Sequence, residues 1–486
     1  MAGLNPVIDV LIIGAGFGGI AMARELDRLG IVDYLIVEKA DRVGGTWRDN
    51  TYPGAACDVP SHLYSLSFAP NPFWSRLFPR QAEIHSHMQH LSAPWLARNK
   101  FRFDWSVASL RWQSAERVWQ VSNTRGEIIE ARIVVAAMGG LHVPNWPDIL
   151  GRETFSGRHC HTARWDHSIA FAGKRVGVIG TGTSAIQVVP ELAKVAAQLH
   201  VFQRTPVWVL PRPDVAIAAW LQRLFAWAPP LRLAFRAALY LQLEMLSLTL
   251  LKPRSAFWVR WLARRHLHQQ VADTTCRKAL QPDYPIGCKR IALSSDYYPA
   301  LQQANVHLDT TAIAAIEPEG LRLVDDRHVA LDVLIYATGF RPMDVLATVQ
   351  IEGEGSASLN RLWADRPCSA NGVAVPGFPN LFFVLGPNTA LGHNSVLYMI
   401  ESQTGHIGTL LRDMRRRRCA EVEAESAAMT RFMIDIDRAF PGTAWAGGCK
   451  SWYLDAKGRN IALWVGLTLT YRWRLRRARR RDYAFR

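Results

Sequence analysis

Apolar and polar positions along the 486-residue chain fall into two blocks that repeat one order. The first opens with Val7 to Ile13, rich in β-branched residues, and ends on Gly14-Ala15-Gly16-Phe17-Gly18-Gly19. Ile20 to Leu29 then has helical spacing and Tyr34 to Val37 reads as a strand, so the pattern predicts a β-α-β unit. From Phe101 to Ile133 the apolar residues alternate around turns such as Thr124-Arg125-Gly126, which predicts a small antiparallel insert. A buried strand, Ile133 to Ala137, closes the block on Met138-Gly139-Gly140.

The second block starts at Arg175 to Ile179 and turns at Gly180-Thr181-Gly182-Thr183-Ser184-Ala185. It continues as a helix through Val195 and returns as the strand Leu199 to Phe202. Val306 to Leu308 and Leu331 to Tyr336 supply its later strands. Residues 214–272 break the pattern with long apolar and basic stretches, Ala218 to Trp227, Leu231 to Leu251 and Phe257 to His266, interrupted by Pro229-Pro230 and Pro253. They predict a helical insert. None offers the roughly 18 charge-free apolar residues of a membrane-spanning helix, which leaves an interfacial amphipathic helix open.

Glycine turns of this kind bring backbone N–H groups and a positive helix end up to a pyrophosphate without Cβ atoms in the way. Nineteen residues after Gly19 stands Glu38, at the end of the second strand, where a carboxylate accepts the ribose hydroxyls of an adenine nucleotide. Glu38 lies twenty-four residues after Gly14, and the residue twenty-four after Gly180 is Arg204. The charge has reversed. A guanidinium there attracts a 2′-phosphate that a carboxylate would repel, so the first site is expected to hold FAD and the second NADPH. Gln203 and Thr205 flank Arg204 and serve either the phosphate or the turn.

The expected fold is α/β, with two Rossmann-like dinucleotide-binding domains of the disulfide-reductase-like flavoprotein architecture. Residues 1–150 form the first part of the FAD domain, residues 151–340 the NADP domain with the insert at about 214–272, and residues 341–486 return to the FAD domain and end in a basic tail. Seven cysteines lie scattered without C-x-x-C spacing, which argues against a disulfide scaffold, a zinc site and a redox-active dithiol. No metal site is expected, and a reduced, cytoplasmic setting fits. The N-terminus enters a strand after a few residues and carries no secretion signal pattern.

The formal net charge is +16, and residues 471–486 hold eight Arg against one Asp. Such an end is a solvated surface, a contact for an anionic membrane face or a nucleic-acid patch; no nucleic-acid recognition motif accompanies it. The reading keeps weak peripheral contact with the inner membrane face open and leaves oligomeric state open.

Phe155-Ser156-Gly157-Arg158-His159-Cys160-His161-Thr162-Ala163-Arg164-Trp165-Asp166 matches F-x-G-x-x-x-H-x-x-x-W-[PD] at every fixed position. In this segment the chain resembles the type I Baeyer-Villiger monooxygenases of the flavin-containing monooxygenase superfamily. Other stretches resemble the same family: Gly44-Gly45-Thr46-Trp47, Asn50 to Gly54 with Asp58, the run around Arg204-Thr205-Pro206, Gly287-Cys288-Lys289-Arg290, Gly386-Pro387-Asn388 and Ser451-Trp452-Tyr453. The insert and the Arg-rich end match nothing in it.

The resemblance implies an NADPH-dependent flavoprotein that inserts one oxygen of O2 into a small ketone through a flavin C4a-peroxide, giving an ester or lactone. Heteroatom oxygenation of a sulfide or amine is the alternative, and an inactive membrane-associated flavoprotein the alternative of another class. Arg290, Asp58 and His161 are the expected catalytic set, His161 through coupling of domain movement to catalysis. Thr46, Trp47, Asp58 and Tyr64 are expected at the flavin, Gly180 to Ala185 with Arg204, Thr205 and Lys289 at NADPH, and Trp452 near the nicotinamide. The substrate itself lies beyond the sequence.

Overall fold

The structure is a computed structural model that describes the chain apart from residues 1–5, 343, 345–347 and 479–480 and the side chain of Arg254. Two sheets carry it. In the first, β1 (Ile8–Ile13) pairs in parallel with β2 (Tyr34–Val37), whose outer edge takes the short β3 (Phe101–Arg102). β4 (Val107–Gln113), β5 (Val118–Asn123) and β6 (Ile128–Ala136) form an antiparallel meander, and β6 lies parallel to β1. The predicted insert strand and the predicted strand from Ile133 are thus one element. Val10, Leu11 and Ile12 are fully buried, as expected for a β1 covered on both faces.

The second sheet is wholly parallel. Its core strands are β7 (Arg158–His161), β8 (Arg175–Ile179), β9 (Gln198–Phe202), β10 (Val306–Asp309) and β11 (Val333–Tyr336), in the order β10-β9-β8-β11-β7. Each sheet has its own helix after its first long strand, α1 (Phe17–Arg28) after β1 and α2 (Thr183–Ala193) after β8. The later chain rejoins the first sheet. β12 (Gln350–Glu352) adds to β4 and β13 (Leu381–Phe383) adds in parallel to β6.

Residues 219–270 form the expected helices: α3 (Ala219–Trp227), α4 (Pro229–Leu251) and α5 (Phe257–Gln270). Pro229 and Pro230 open α4 rather than break it, since a first-turn proline lacks only an N–H that has no intrahelical acceptor. By length and apolarity α4 is, among the described residues, the one helix able to cross a membrane, and 22% of its most apolar window is buried. The chain then supplies α6 (Val396–Arg417) and α7 (Thr468–Arg477), and Tyr483–Phe485 pairs with Val422–Ala424. The described part of the Arg-rich end is therefore folded: Arg474 binds Asp435 and Arg486 binds Glu423.

Folding traps five histidines in a neutral state. Burial holds His62, His87, His142, His161 and His393 down at about 4, with nearby cations assisting, among them Arg232 at His62, Arg164 at His161 and Arg290 at His393. Between pH 6.5 and 4 the unfolded chain takes up these protons and the folded chain does not, so stability falls as pH falls through that window. Each such proton contributes a slope of about 1.4 kcal/mol per pH unit. Urea titrations across the window are expected to show stability dropping steeply with acid; a flat profile would mean these rings are solvated in the folded state.

Candidate active site

The two glycine turns solve the same steric problem. Gly14 has φ of +107° and a Cβ there would lie 2.6 Å from the carbonyl oxygen of Ala137; Gly180 has φ of +112° and its Cβ would lie 2.5 Å from the carbonyl oxygen of Ala337. Only glycine lets strand, turn and the closing strand of each sheet meet this closely. Past each turn a helix begins at Phe17 or Thr183 with no side-chain cap, so its first N–H groups stay open to an anion.

Both turns open onto one cavity of about 1220 Å³ between the sheets. On the first-sheet side it is lined by Gly14, Gly16, Glu38, Thr46, Trp47 and Tyr64, and on the other by Gly180 to Ser184, Arg204 and Thr205. Asp58, Lys289, Arg290, Trp452 and Tyr453 line it as well. A Cβ on Gly16 would find its nearest neighbour, Gly45 Cα, 3.9 Å away. A side chain there would fill cavity space and not protein. Open turn, bare helix end and buried carboxylate together fit the phosphates and ribose of a dinucleotide.

The Glu38 carboxylate is held in one orientation. One oxygen accepts from the Ala15 N–H at 2.8 Å, and the other from Ala40 N–H at 3.1 Å and from the buried Arg48 at 3.0 Å. Across the cavity, Lys289 is kept below the ordinary lysine value by burial and by neighbouring Arg204, while Asp283 opposes. Two cations so close favour a dianion between them. Trp47 donates to the Tyr64 hydroxyl at 2.9 Å, which fixes both rings at the first-sheet wall of the cavity.

Asp58 and Arg290 are 232 positions apart and meet in a bidentate pair, with Nε at 2.9 Å and Nη2 at 2.8 and 2.7 Å from the carboxylate oxygens. About a third of the Arg290 side chain stays open. Asp58, with burial opposing, raises its guanidinium further above an already high value, so it is a permanent cation. Tyr453 lies nearby with its hydroxyl buried and unpartnered, pushed up to about 12 by burial, and is therefore a proton-bearing donor. His393, with both ring nitrogens unpartnered, is buried close to Arg290. Sequence reasoning passed over His393, because nothing in its local pattern marks it.

Three expected site residues do not reach the cavity. Gly19 packs under the first turn, where a Cβ would lie 2.0 Å from the Gly14 carbonyl oxygen, and Ala185 is fully buried in the core of the second sheet. His161 stands behind the cavity wall. Its Nδ1 accepts from the Ala163 N–H at 3.0 Å, its Nε2 meets the Thr338 hydroxyl at 3.3 Å, and its ring packs edge-on against Trp146. Thr338 and Trp146 line the cavity, so His161 touches it at one remove.

A fourth expectation needs correction. Cys288 and Cys449, separated by 161 residues, form a disulfide, so the argument from absent C-x-x-C spacing fails at this pair. It ties the segment carrying Lys289 and Arg290 to the segment carrying Trp452 and Tyr453. Tyr52 and Gln187 make a second tie across the two sheets, the Tyr52 hydroxyl donating to the Gln187 side chain at 2.9 Å.

Comparison with known proteins places this geometry. Residues 12–80 match the model of an NAD(P)-binding Rossmann-like domain and residues 98–229 that of pyridine nucleotide-disulphide oxidoreductases. A Baeyer-Villiger monooxygenase of Pseudomonas aeruginosa is 42% identical over 96% of this chain and 88% of its own length. Another from Streptomyces coelicolor is 40% identical over 98% and 92%. Among solved structures, an oxidized steroid monooxygenase bound to NADP aligns with a TM-score of 0.88 at 28% identity over 99% of both chains. OTEMO in complex with FAD and NADP aligns with a TM-score of 0.90 at 27% identity over 99% of this chain and all of its own.

Proposed function

The chain belongs to the Baeyer-Villiger monooxygenases, and from that premise we propose that it inserts one oxygen of O2 beside the carbonyl of a small organic ketone. It is an NADPH-dependent FAD enzyme, and the net reaction consumes ketone, O2, NADPH and a proton and releases ester or lactone, NADP+ and water. FAD, once bound and reduced by NADPH, supplies the activation of O2.

The observation that carries the reading is the Asp58–Arg290 pair, held between two dinucleotide turns with one side of the guanidinium open to the cavity. Negative charge develops on the substrate oxygen as its carbonyl is attacked. A fixed guanidinium stabilises that charge without reorganising, and the adjacent Tyr453 hydroxyl donates to the same region. Asp58 positions the guanidinium and keeps its fork in one plane. Gly16 and the start of α1 would hold the FAD pyrophosphate and Glu38 its ribose; Thr46, Trp47 and Tyr64 would wall the flavin.

Gly180 to Ser184 and Thr205 would cradle NADPH, with Arg204 and Lys289 on the 2′-phosphate. Trp452, 39% exposed, would close the nicotinamide end against water. His161 acts as a positioning residue through Thr338. The domain boundaries near residues 150 and 340 put the cavity at the seam between the two cofactor units.

Incubating purified enzyme with NADPH and linear, cyclic and aryl ketones, followed by product identification, tests the reading. Ester or lactone is expected; sulfoxide from an aryl sulfide with no ester from any ketone would overturn it. Cofactor choice gives a separate check. Arg204→Ala and Lys289→Ala are each expected to raise the KM for NADPH by about tenfold or more and leave NADH almost untouched. Unchanged discrimination would place the phosphate elsewhere.

A further inference from the structure

The outer surface of the helical insert takes no part in this chemistry, and α4 is apolar on both sides: Leu239 and Leu250 are buried against the protein, and a second apolar row faces out. Its charged side chains face the protein: Arg236 donates to the His62 carbonyl at 2.7 Å, and Arg232 to the Phe225 carbonyl at 3.2 Å. Buried Glu244 accepts from Asn394 and from the Thr468 hydroxyl, both at 2.6 Å. The outward row, spaced three and four apart, is Ala234, Ala238, Leu241, Met245 and Leu248. Leu241 is 60% and Met245 64% exposed. A helix facing water has the opposite arrangement, and a continuous apolar row facing out marks a surface that something covers.

Its neighbours extend the pattern. α3 exposes Trp227 and α5 exposes Trp258 and Trp261; α7, joined to α4 where the Tyr240 and Thr468 hydroxyls meet at 3.0 Å, exposes Trp473. Interleaved with these rings are the exposed Arg223, Arg260, Arg264, Arg265 and Arg477. Between residues 215 and 272 the chain carries eight Lys and Arg against the single acid Glu244, which is buried.

Charge decides the occupant. Docking a second copy through this face would set arginines against arginines, since a two-fold contact pairs each patch with itself. A phosphate-bearing bilayer complements them, and exposed tryptophans on the neighbouring helices match the headgroup boundary. Crossing the membrane would pull Arg232, Arg236 and Glu244 off their partners into hydrocarbon, at high cost. We propose that this face docks on an anionic lipid bilayer, with α4 lying in the headgroup plane, its apolar row inserted and the arginines of α3, α5 and α7 on lipid phosphates. The docked element reaches the cavity, because Glu244 holds Asn394, which lines it.

Sedimentation of the FAD-loaded enzyme with vesicles of phosphatidylcholine, with and without phosphatidylglycerol, tests this. Binding is expected to the mixed vesicles, to be about tenfold or more weaker on the neutral ones, and to weaken with salt. The double variant Leu241→Ser/Met245→Ser is expected to lose about tenfold or more of the binding. Flavin content and NADPH-driven flavin reduction in solution should not change, because neither side chain touches the cavity. Arg264→Gln/Arg265→Gln is expected to erase most of the preference for phosphatidylglycerol. Three results would overturn the proposal: no sedimentation with either vesicle, binding that neither double variant diminishes, or a solution dimer that the Leu241→Ser/Met245→Ser change dissociates.

Discussion

In Arg290→Ala, ester formation is expected to fall by about a hundredfold or more, equivalent to ~2.7 kcal/mol of lost charge stabilisation, while NADPH still reduces the flavin at a useful rate. Hydride transfer depends on how the nicotinamide lies and needs no cation on the substrate oxygen. Arg290 is tied to Asp58 by three contacts of 2.9 Å or less, and its open side faces the cavity. NADPH consumption should then be diverted to H2O2. Removing the arginine also strands the Asp58 carboxylate, so Arg290→Ala/Asp58→Ala separates the lost cation from the orphaned anion. Lysine should rescue little, because a compact ammonium cannot satisfy Asp58 bidentately and face the substrate at once. Rapid-mixing flavin reduction, a peroxide assay and product chromatography on one variant decide the matter: undiminished ester would show that Arg290 is not the catalytic cation.

Gly16→Val is expected to yield folded, colourless protein. At Gly14 any Cβ meets the Ala137 backbone at 2.6 Å, so substitution there damages the fold itself. At Gly16 the nearest atom to a Cβ is 3.9 Å away and the space beyond is cavity, so valine excludes the cofactor and spares the protein. Flavin absorbance should be lost, and the unfolding temperature should match that of wild-type apoprotein. Full flavin content in this variant would remove the FAD phosphates from the first turn.

Much of the scaffold was legible in local sequence because it rests on short-range rules. Apolar β-branched runs and helical spacing around glycine marked β1, α1, β8 and α2, and the switch from Glu38 to Arg204 marked two cofactors, since turn chemistry and strand-end charge are set within some thirty residues. The linker fingerprint located His161, yet not its place behind the wall, which depends on Trp146 and Thr338 arriving from elsewhere in the chain.

What only the tertiary structure decided are relations between distant residues and the direction a face points. Cys288 finds Cys449 across 161 positions and β13 returns to β6, neither of which leaves a trace in spacing; family resemblance put Asp58 and Arg290 in one set, and the fold alone gave their bidentate geometry. The α4 sequence carries an apolar row and a few charges, and hydropathy alone assigns such a row to the interior. Here one apolar row, with Leu239 and Leu250, does go inside, but half-buried Arg236 and buried Glu244 also find backbone and side-chain partners within the fold, and Leu241 and Met245 are left outside. Periodicity counts faces; which face meets protein depends on the hydrogen-bond partners that the rest of the chain brings to it.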